Sequence, residues 1–196
     1  MEVFASNKLS IKQIFSVLTI LLFISLAQSA SPLKASKTFI TKSCTNATYP
    51  PLCVKTLIPY APKVGTKPLK LCNAALTEAI LAASNASAAV SKIAKQNGLA
   101  RYEAKAIKDC IEDMKDTVYE LKLTLNAIGH LNDPDKELQW DNAKTWASAA
   151  ITDIDSCMDG FSGGKVNPIV KKKIRSSITG VQKLTSNALS LINHLH

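Results

Sequence analysis

The 196-residue chain reads as an all-α protein: an up-down four-helix bundle, entered through a short N-terminal helical hairpin and held by two disulfides. Three observations carry that reading. Apolar residues recur in steps of three and four over four long stretches. Turn-forming breaks at Asn97-Gly98, Asn132-Asp-Pro-Asp135 and Gly163-Gly164 separate those stretches, and no strand-like alternation of useful length occurs.

The elements follow in order. Residues 1–29 stand apart: Lys8 and Lys12 precede an apolar run from Ile14 to Leu26, too short to span a bilayer, that ends in Ala27-Gln28-Ser29. This predicts a cleaved secretory signal and a secreted inhabitant of an oxidising compartment, with no membrane attachment after cleavage. Residues 30–196 suffice for one domain with one core. Phe39 to Tyr60, interrupted at Tyr49-Pro50-Pro51, predicts the helical hairpin, about residues 39–60.

The bundle then occupies about residues 69–195. Its first helix puts Leu69, Cys72, Leu76, Ala79, Ala83, Ala86, Val90 and Ile93 on one seam and closes at Asn97-Gly98. The second runs from about Arg101 to Leu131 with Ile107, Ile111, Met114, Val118, Leu121, Leu125 and Ile128 inward, and Pro134 disfavours helix just before it. The third runs from about Lys136 to Phe161, with Ala143, Trp146, Ala147, Ala150, Ile154, Cys157 and Phe161 inward. The last starts near Pro168, a suitable first-turn residue, and turns Val170, Ile174, Val181, Leu184, Leu191 and Leu195 to the core.

Five cysteines leave one over, and spacing alone allows fifteen arrangements. Turn positions narrow them, because in an antiparallel helix pair residues equidistant from the turn lie side by side. Cys110 and Cys157 are centred between Asp133 and Pro134, and Cys44 and Cys53 between Thr48 and Tyr49, each at a predicted turn. Cys72 mirrors to about Thr124, where no cysteine stands, so it is the free thiol, buried in its seam.

Chemistry is sparse. Gly160-Phe-Ser162-Gly-Gly164 spells G-x-S-x-G, yet a nucleophile elbow needs a strand before the serine, and here a helix precedes it. Asp153, Asp155 and Asp159 lack the glycine and glutamate of a calcium loop, since Met158 and Gly164 occupy those places. His130, His194 and His196 offer no general base. The residues therefore indicate no enzyme, no metal and no cofactor. Lys171-Lys-Lys-Ile-Arg175 and Lys63, Lys67 and Lys70 lack interleaved aromatics, so they speak against nucleic acid; a plain solvated face is the first reading, and weak binding to acidic polysaccharide the next. Asp109, Glu112, Asp113, Asp116 and Glu120 stripe one side of the second bundle helix, which fits equally a solvated face paired with Lys105, Lys108 and Lys115 and a recognition surface for a basic cleft. Asn46-Ala-Thr48 and Asn85-Ala-Ser87 are glycosylation sequons.

Cys44-x3-Thr48-Tyr-Pro-x2-Cys53, the cysteine in IKDCIEDMKDTVYEL, Trp146-Ala-Ser-Ala-Ala150 and Asp155-Ser-Cys157-x-Asp-Gly-Phe161 occur in this order. In them the chain, from about Phe39 to its end, resembles the plant invertase and pectin methylesterase inhibitor family. The resemblance implies a four-helix bundle with an N-terminal hairpin, the same two disulfide pairs, and a non-enzymatic protein that blocks a cell-wall enzyme outside the cell. Thr185-Ser-Asn-Ala-Leu189 and the run Trp146 to Phe161 look more like the pectin methylesterase branch, and the Pro-Lys-Phe triplet common in invertase inhibitors is missing. Invertase stands as the alternative target; a secreted signalling or lipid-binding bundle is a more distant one. Carried over by position, the enzyme-facing residues fall at Glu112, Asp116 and Tyr119 and at Thr152, Asp155 and Ser156. Tyr119 stands where the family pattern has an acidic residue.

Overall fold

The computed structural model describes residues 32–163 and 166–195. The proposed signal segment and the glycine at 164 lie outside them. Helix α1 covers 32–43, and a 3-10 turn, Cys44–Asn46, leads to α2, Pro50–Leu57. A second 3-10 turn, Ile58–Tyr60, runs into the short α3, Ala61–Val64. The bundle helices are α4, Pro68–Ala94; α5, Arg101–Gly129; α6, Lys136–Asp159; and α7, Pro168–Asn193. The described elements are all helical, and the four long helices form a ring in which α4 packs on α5 and α7, and α6 on α5 and α7. The hairpin reaches further both ways than residues 39–60, because Ser36 and Ile40 already face the core and α3 continues the chain to Val64.

Helix starts and stops follow local chemistry. Proline occupies the first turn of α2, α4 and α7, where its missing N–H costs nothing. Asn167 caps α7 by accepting from the Ile169 N–H at 2.8 Å. Gly98, at φ +84°, makes the turn between α4 and α5 that a side chain would strain.

The core is continuous from hairpin to bundle. Ile40, Leu57, Leu76, Ile107, Met114, Leu121, Ile154, Phe161, Ile174 and Ile178 are fully enclosed. Leu184 and Leu195, expected inward, pack against the core only half-buried, while Ile178, Thr185 and Ile192 fill the seam of α7. Trp146 corrects its expected place more sharply, being 37% exposed. The seam of α6 is Ala143, Ala147, Ala150, Ile154 and Cys157, all 0–1% exposed, and the Cα atoms of Cys110 and Cys157 stand 4.2 Å apart. A helix pair this close leaves no room for an indole, so Trp146 falls on the flank. Trp140 instead reaches α7, donating its Nε1–H to the Ile192 carbonyl at 3.2 Å.

Two buried polar side chains fix how the pieces dock. Asn187, 3% exposed, accepts from the Tyr49 N–H at 2.7 Å and donates to the Tyr49 carbonyl at 3.1 Å, holding the break before α2 onto α7. Ser190 adds a hydroxyl bond to the Asn46 carbonyl at 2.9 Å. Glu103, 4% exposed, accepts from the N–H groups of Ala100 and Asn167 at 2.8 and 2.7 Å. It thereby closes the starts of α5 and α7 together, with Ala100 offering no acceptor of its own. Those two backbone donors, Asn167 first, hold its carboxyl below the ordinary glutamate range. On the far side of the hairpin the Tyr60 hydroxyl donates to Glu78 of α4, and that bond is the first cause of a raised Tyr60 pKa.

Cys44–Cys53 and Cys110–Cys157 are bridged, and Cys72 is free and buried. Burial pushes the Cys72 thiol up to about 12, which keeps it protonated and unreactive. With a sequence separation of 47, the longer bridge contributes about 4 kcal/mol by loop entropy, against about 2.7 kcal/mol for the separation of 9. Replacing Cys110 and Cys157 by alanine should therefore lower the melting temperature by roughly 8–16 °C, clearly more than the same change at Cys44 and Cys53. Calorimetry of the two double variants measures the difference, and equal losses would show that the long bridge is not the stronger constraint.

Candidate functional site

The candidate site is built on α5 and α6. At 100° per residue, Asp109, Asp113, Asp116 and Glu120 follow one flank of α5, while Lys108, Lys115 and Lys122, seven residues apart, follow the other. The acidic flank is the one turned toward α6: Asp109 and Asp113 line a shallow recess of about 230 Å³ with Tyr102 of α5 and Ser156 and Gly160 of α6. Asp153 of α6 lies on the same side, four and three residues from Ala149 and Ser156, and Trp146 stands two turns further along that flank. Tyr102, 44% exposed, and Trp146, 37% exposed, thus stand toward opposite ends of an acidic groove.

The six carried-over positions divide. Glu112, Asp116 and Tyr119 form one outward stripe on α5, and all three are exposed, Tyr119 by 63%. On α6, Ser156 joins the recess, whereas Asp155 is turned the other way and accepts from Gln182 Nε2 of α7 at 2.6 Å. Thr152 is exposed and donates its hydroxyl to the Ser148 carbonyl at 3.2 Å. Asp153 belongs to the groove and was not among the expected contacts. Its signal was present, because the mirror relation that pairs Cys110 with Cys157 sets Asp153 level with Met114, one residue from Asp113.

Bringing like charges together perturbs them. Burial, then the charges of Asp153, Asp109, Asp116 and Glu112, push Asp113 up to about 6. Glu120 is pushed up to about 7, first by burial and then by a hydrogen bond with Asp153. Its Oε2 is buried without a hydrogen-bond partner, and Glu120 and Asp153 titrate as a pair in which both carboxyls are raised. Asp153 is also raised, by burial first. The groove is acidic yet only part-ionised near neutrality. Among the described residues no group of three or more His, Cys, Asp or Glu side chains is placed to hold a metal ion. Ser162 follows the end of α6, its N–H bonded to the Asp159 carbonyl at 2.9 Å, which is a helix stop and not the strand end that an activated serine needs. No described helix is long and apolar enough to cross a membrane.

A rigid pair of helices presenting exposed acidic and aromatic side chains across a shallow recess defines a helical protein that works through its surface. Comparison with known proteins gives that class its family. The model of the plant invertase/pectin methylesterase inhibitor family matches residues 38–191. Pectinesterase inhibitor 11 of Arabidopsis thaliana is 34% identical over 194 residues, covering 93% of this chain and 96% of the relative. Pectinesterase inhibitor 3 of the same plant is 39% identical over 158 residues, with 78% and 77% covered. The crystal structure of a mutant pectin methylesterase inhibitor from Arabidopsis shares the fold, with a TM-score of 0.61 at 18% identity over 78% of this chain and 94% of that one. The chain belongs to the plant invertase/pectin methylesterase inhibitor family.

The raised carboxyls give stability a pH slope. A folded-state pKa above the unfolded value means that the native state binds more protons, so these groups progressively destabilise the fold as pH rises from about 4 to about 7. Glu103 acts oppositely, its contribution being lost only as pH falls below the ordinary glutamate range. Glu120→Gln should raise the melting temperature by about 2–4 °C at pH 7.5, roughly 1 kcal/mol once solvent screening at a half-buried site is allowed for, and by nothing at pH 4.5. Melting curves at the two pH values check this; a gain of equal size at both would assign it to packing.

Proposed function

We propose that the chain is a secreted, non-enzymatic inhibitor of pectin methylesterase that docks its α5–α6 face on the enzyme's cleft in the plant cell wall. The carrying observation is the clamped acidic groove. An esterase whose substrate is an acidic polymer has a cleft that receives negative charge, and Asp113, Asp116 and Asp153 offer it on a surface fixed by the Cys110–Cys157 bridge. Tyr119 and Trp146 add exposed aromatic area beside those acids, the residue types that most often dominate binding. The relatives named pectinesterase inhibitors favour this target over invertase.

Secretion rests on the signal-like pattern of residues 1–29. Glycosylation is proposed at Asn46 and Asn85, whose side chains are exposed, one in the turn after α1 and the other midway along α4. A second partner of a different kind, acidic cell-wall polysaccharide, is proposed on the basic side of the molecule.

Titration of the secreted protein against a pectin methylesterase and a cell-wall invertase tests the assignment directly, and inhibition of invertase alone would reverse it. At the level of residues, Glu112→Lys with Asp116→Lys should weaken pectin methylesterase inhibition at least about tenfold while the melting temperature stays nearly unchanged, since exposed substitutions usually move stability by less than ~0.5 kcal/mol. Lys171→Glu with Lys172→Glu is the matched control of opposite charge change and should inhibit like the parent. At moderate salt, where steering is screened within about 8 Å, unchanged inhibition by the double lysine variant would move the contact surface off this stripe. Trp146→Ala should also weaken inhibition, and Ser162→Ala should leave it intact.

A further inference from the structure

The charge of the molecule is sorted by element. Residues 32–100 hold nine lysines and one glutamate, and α7 carries Lys171, Lys172, Lys173, Arg175 and Lys183 with no acid. Residues 101–163 hold thirteen carboxylates against seven cations. The ion pairs among the described residues, Lys105–Asp109 and Lys144–Asp141, and the His130–Asp133 contact all lie on or between α5 and α6. Among the described residues the lysines of α1 to α4 therefore have no carboxylate within ion-pair reach, and the one acid of those helices, Glu78, is engaged by Tyr60. The hairpin packs on α4 and α7, which places this basic side away from the acidic groove.

Within it, α1 has the most ordered arrangement. Ser36, Ile40 and Cys44 face inward, and Lys34, Lys37, Thr38, Thr41, Lys42 and Thr45 line one shallow outward groove. They rise about 16 Å along the axis, at ~1.5 Å per residue, with three ammonium groups and three hydroxyls interspersed. Thr41 and Thr45 donate to the Lys37 and Lys42 carbonyls at 2.9 and 2.7 Å, which leaves their oxygens turned out as acceptors. Residues 32–100 contain no arginine, the side chain that forks onto phosphate. Lysines are point charges spaced along a rail, which suits single negative charges repeated along a flexible polymer, and the interposed hydroxyls suit a polymer of hydroxylated rings. Nucleic acid would call for aromatic stacking partners between the cations, and this face has none.

We propose that the outward face of α1 docks a linear polysaccharide bearing one carboxylate per ring, the de-esterified product of the enzyme the opposite face inhibits. The choice of polymer rests on the pectin methylesterase reading; the existence of the site does not. Enzyme and polymer would be held at once, one on each side, so that the inhibitor accumulates where the enzyme has already acted and its effective concentration rises there without any new contact to the enzyme.

The test is retention of the secreted protein on immobilised polygalacturonate, on fully methyl-esterified pectin and on neutral dextran, as a function of salt. The parent should bind only the first and release steeply with salt, as counterion release requires. Lys34→Gln, Lys37→Gln and Lys42→Gln together should weaken retention on the order of tenfold and flatten the salt slope. Lys108→Gln, Lys115→Gln and Lys122→Gln on α5, an equal change of charge, should alter it less than about twofold. Equal losses in the two triple variants would reduce the effect to net charge and overturn the site, as would failure of the parent to be retained. The enzyme reading has its own readout: complex formation with pectin methylesterase, measured calorimetrically without polymer, should be unchanged in the α1 variant. A parent that binds polygalacturonate but not the enzyme would refute that reading and leave this one standing.

Discussion

The structure depends on how closely α5 and α6 approach. Alanines at 143, 147 and 150 let the two axes come together, and the Cys110–Cys157 bridge stops them from splaying. The clamp works against the charge of the groove, because Asp113, Asp116, Glu120 and Asp153 repel one another. Apolar packing on the inner side and a covalent bond hold together a surface that its own charges would open. Glu120 shows the remaining tension: burial and the neighbouring Asp153 push it up to about 7, and Asp153 is raised with it. Charge is thus stored on the outside of the pair, where a partner with a positive cleft would relieve it, and docking gains what folding had to spend.

The rest of the fold sets this pair in place through polar groups of unusual burial. Glu103 accepts two backbone N–H bonds and ties the start of α5 to the start of α7. Asn187 reads both backbone groups of Tyr49 and seats the hairpin on α7. Each satisfies donors or acceptors that would otherwise be buried unpaired, so each selects one docking geometry where apolar contact alone would tolerate several. The consequence for function is indirect. They fix which faces of the ring are outside, and hence that the acidic flank of α5 and the basic face of α1 lie on different sides.

What was legible in the sequence had a period or a symmetry. The three-and-four stepping located four long helices to within two or three residues, and reflection about their turns paired the cysteines and left Cys72 over. Trp146 was not legible, because it adjoins Ala147 and periodicity cannot separate a seam from its flank; only the interaxial distance does. Glu103 and Asn187 were invisible for the opposite reason, being polar residues on core faces, where a hydrophobic pattern treats them as interruptions. The hairpin was cut short at Phe39 because the turn before it faces the core with Ser36, a residue with no apolar signature. Asp153 was weighed only as a calcium ligand, although its level opposite Met114 followed from the same reflection that paired Cys110 with Cys157.

Net charge misleads about what such a molecule attracts. A formal +9 would suggest a protein repelled by basic surfaces, yet the region that presents Asp113, Asp116 and Asp153 carries nearly twice as many carboxylates as cations. Fields of exposed charges decay over about 8 Å at physiological salt, so an approaching partner responds to the nearest face and not to the sum. The separation of charge would therefore orient encounter, a basic cleft toward α5 and α6 and the proposed acidic polymer toward α1. Among the described residues the ion pairs lie on α5 and α6, and none engages the lysines of α1. One bundle of modest size in this way presents opposite signs on two faces, because the helices that carry each sign lie on opposite sides of a single core.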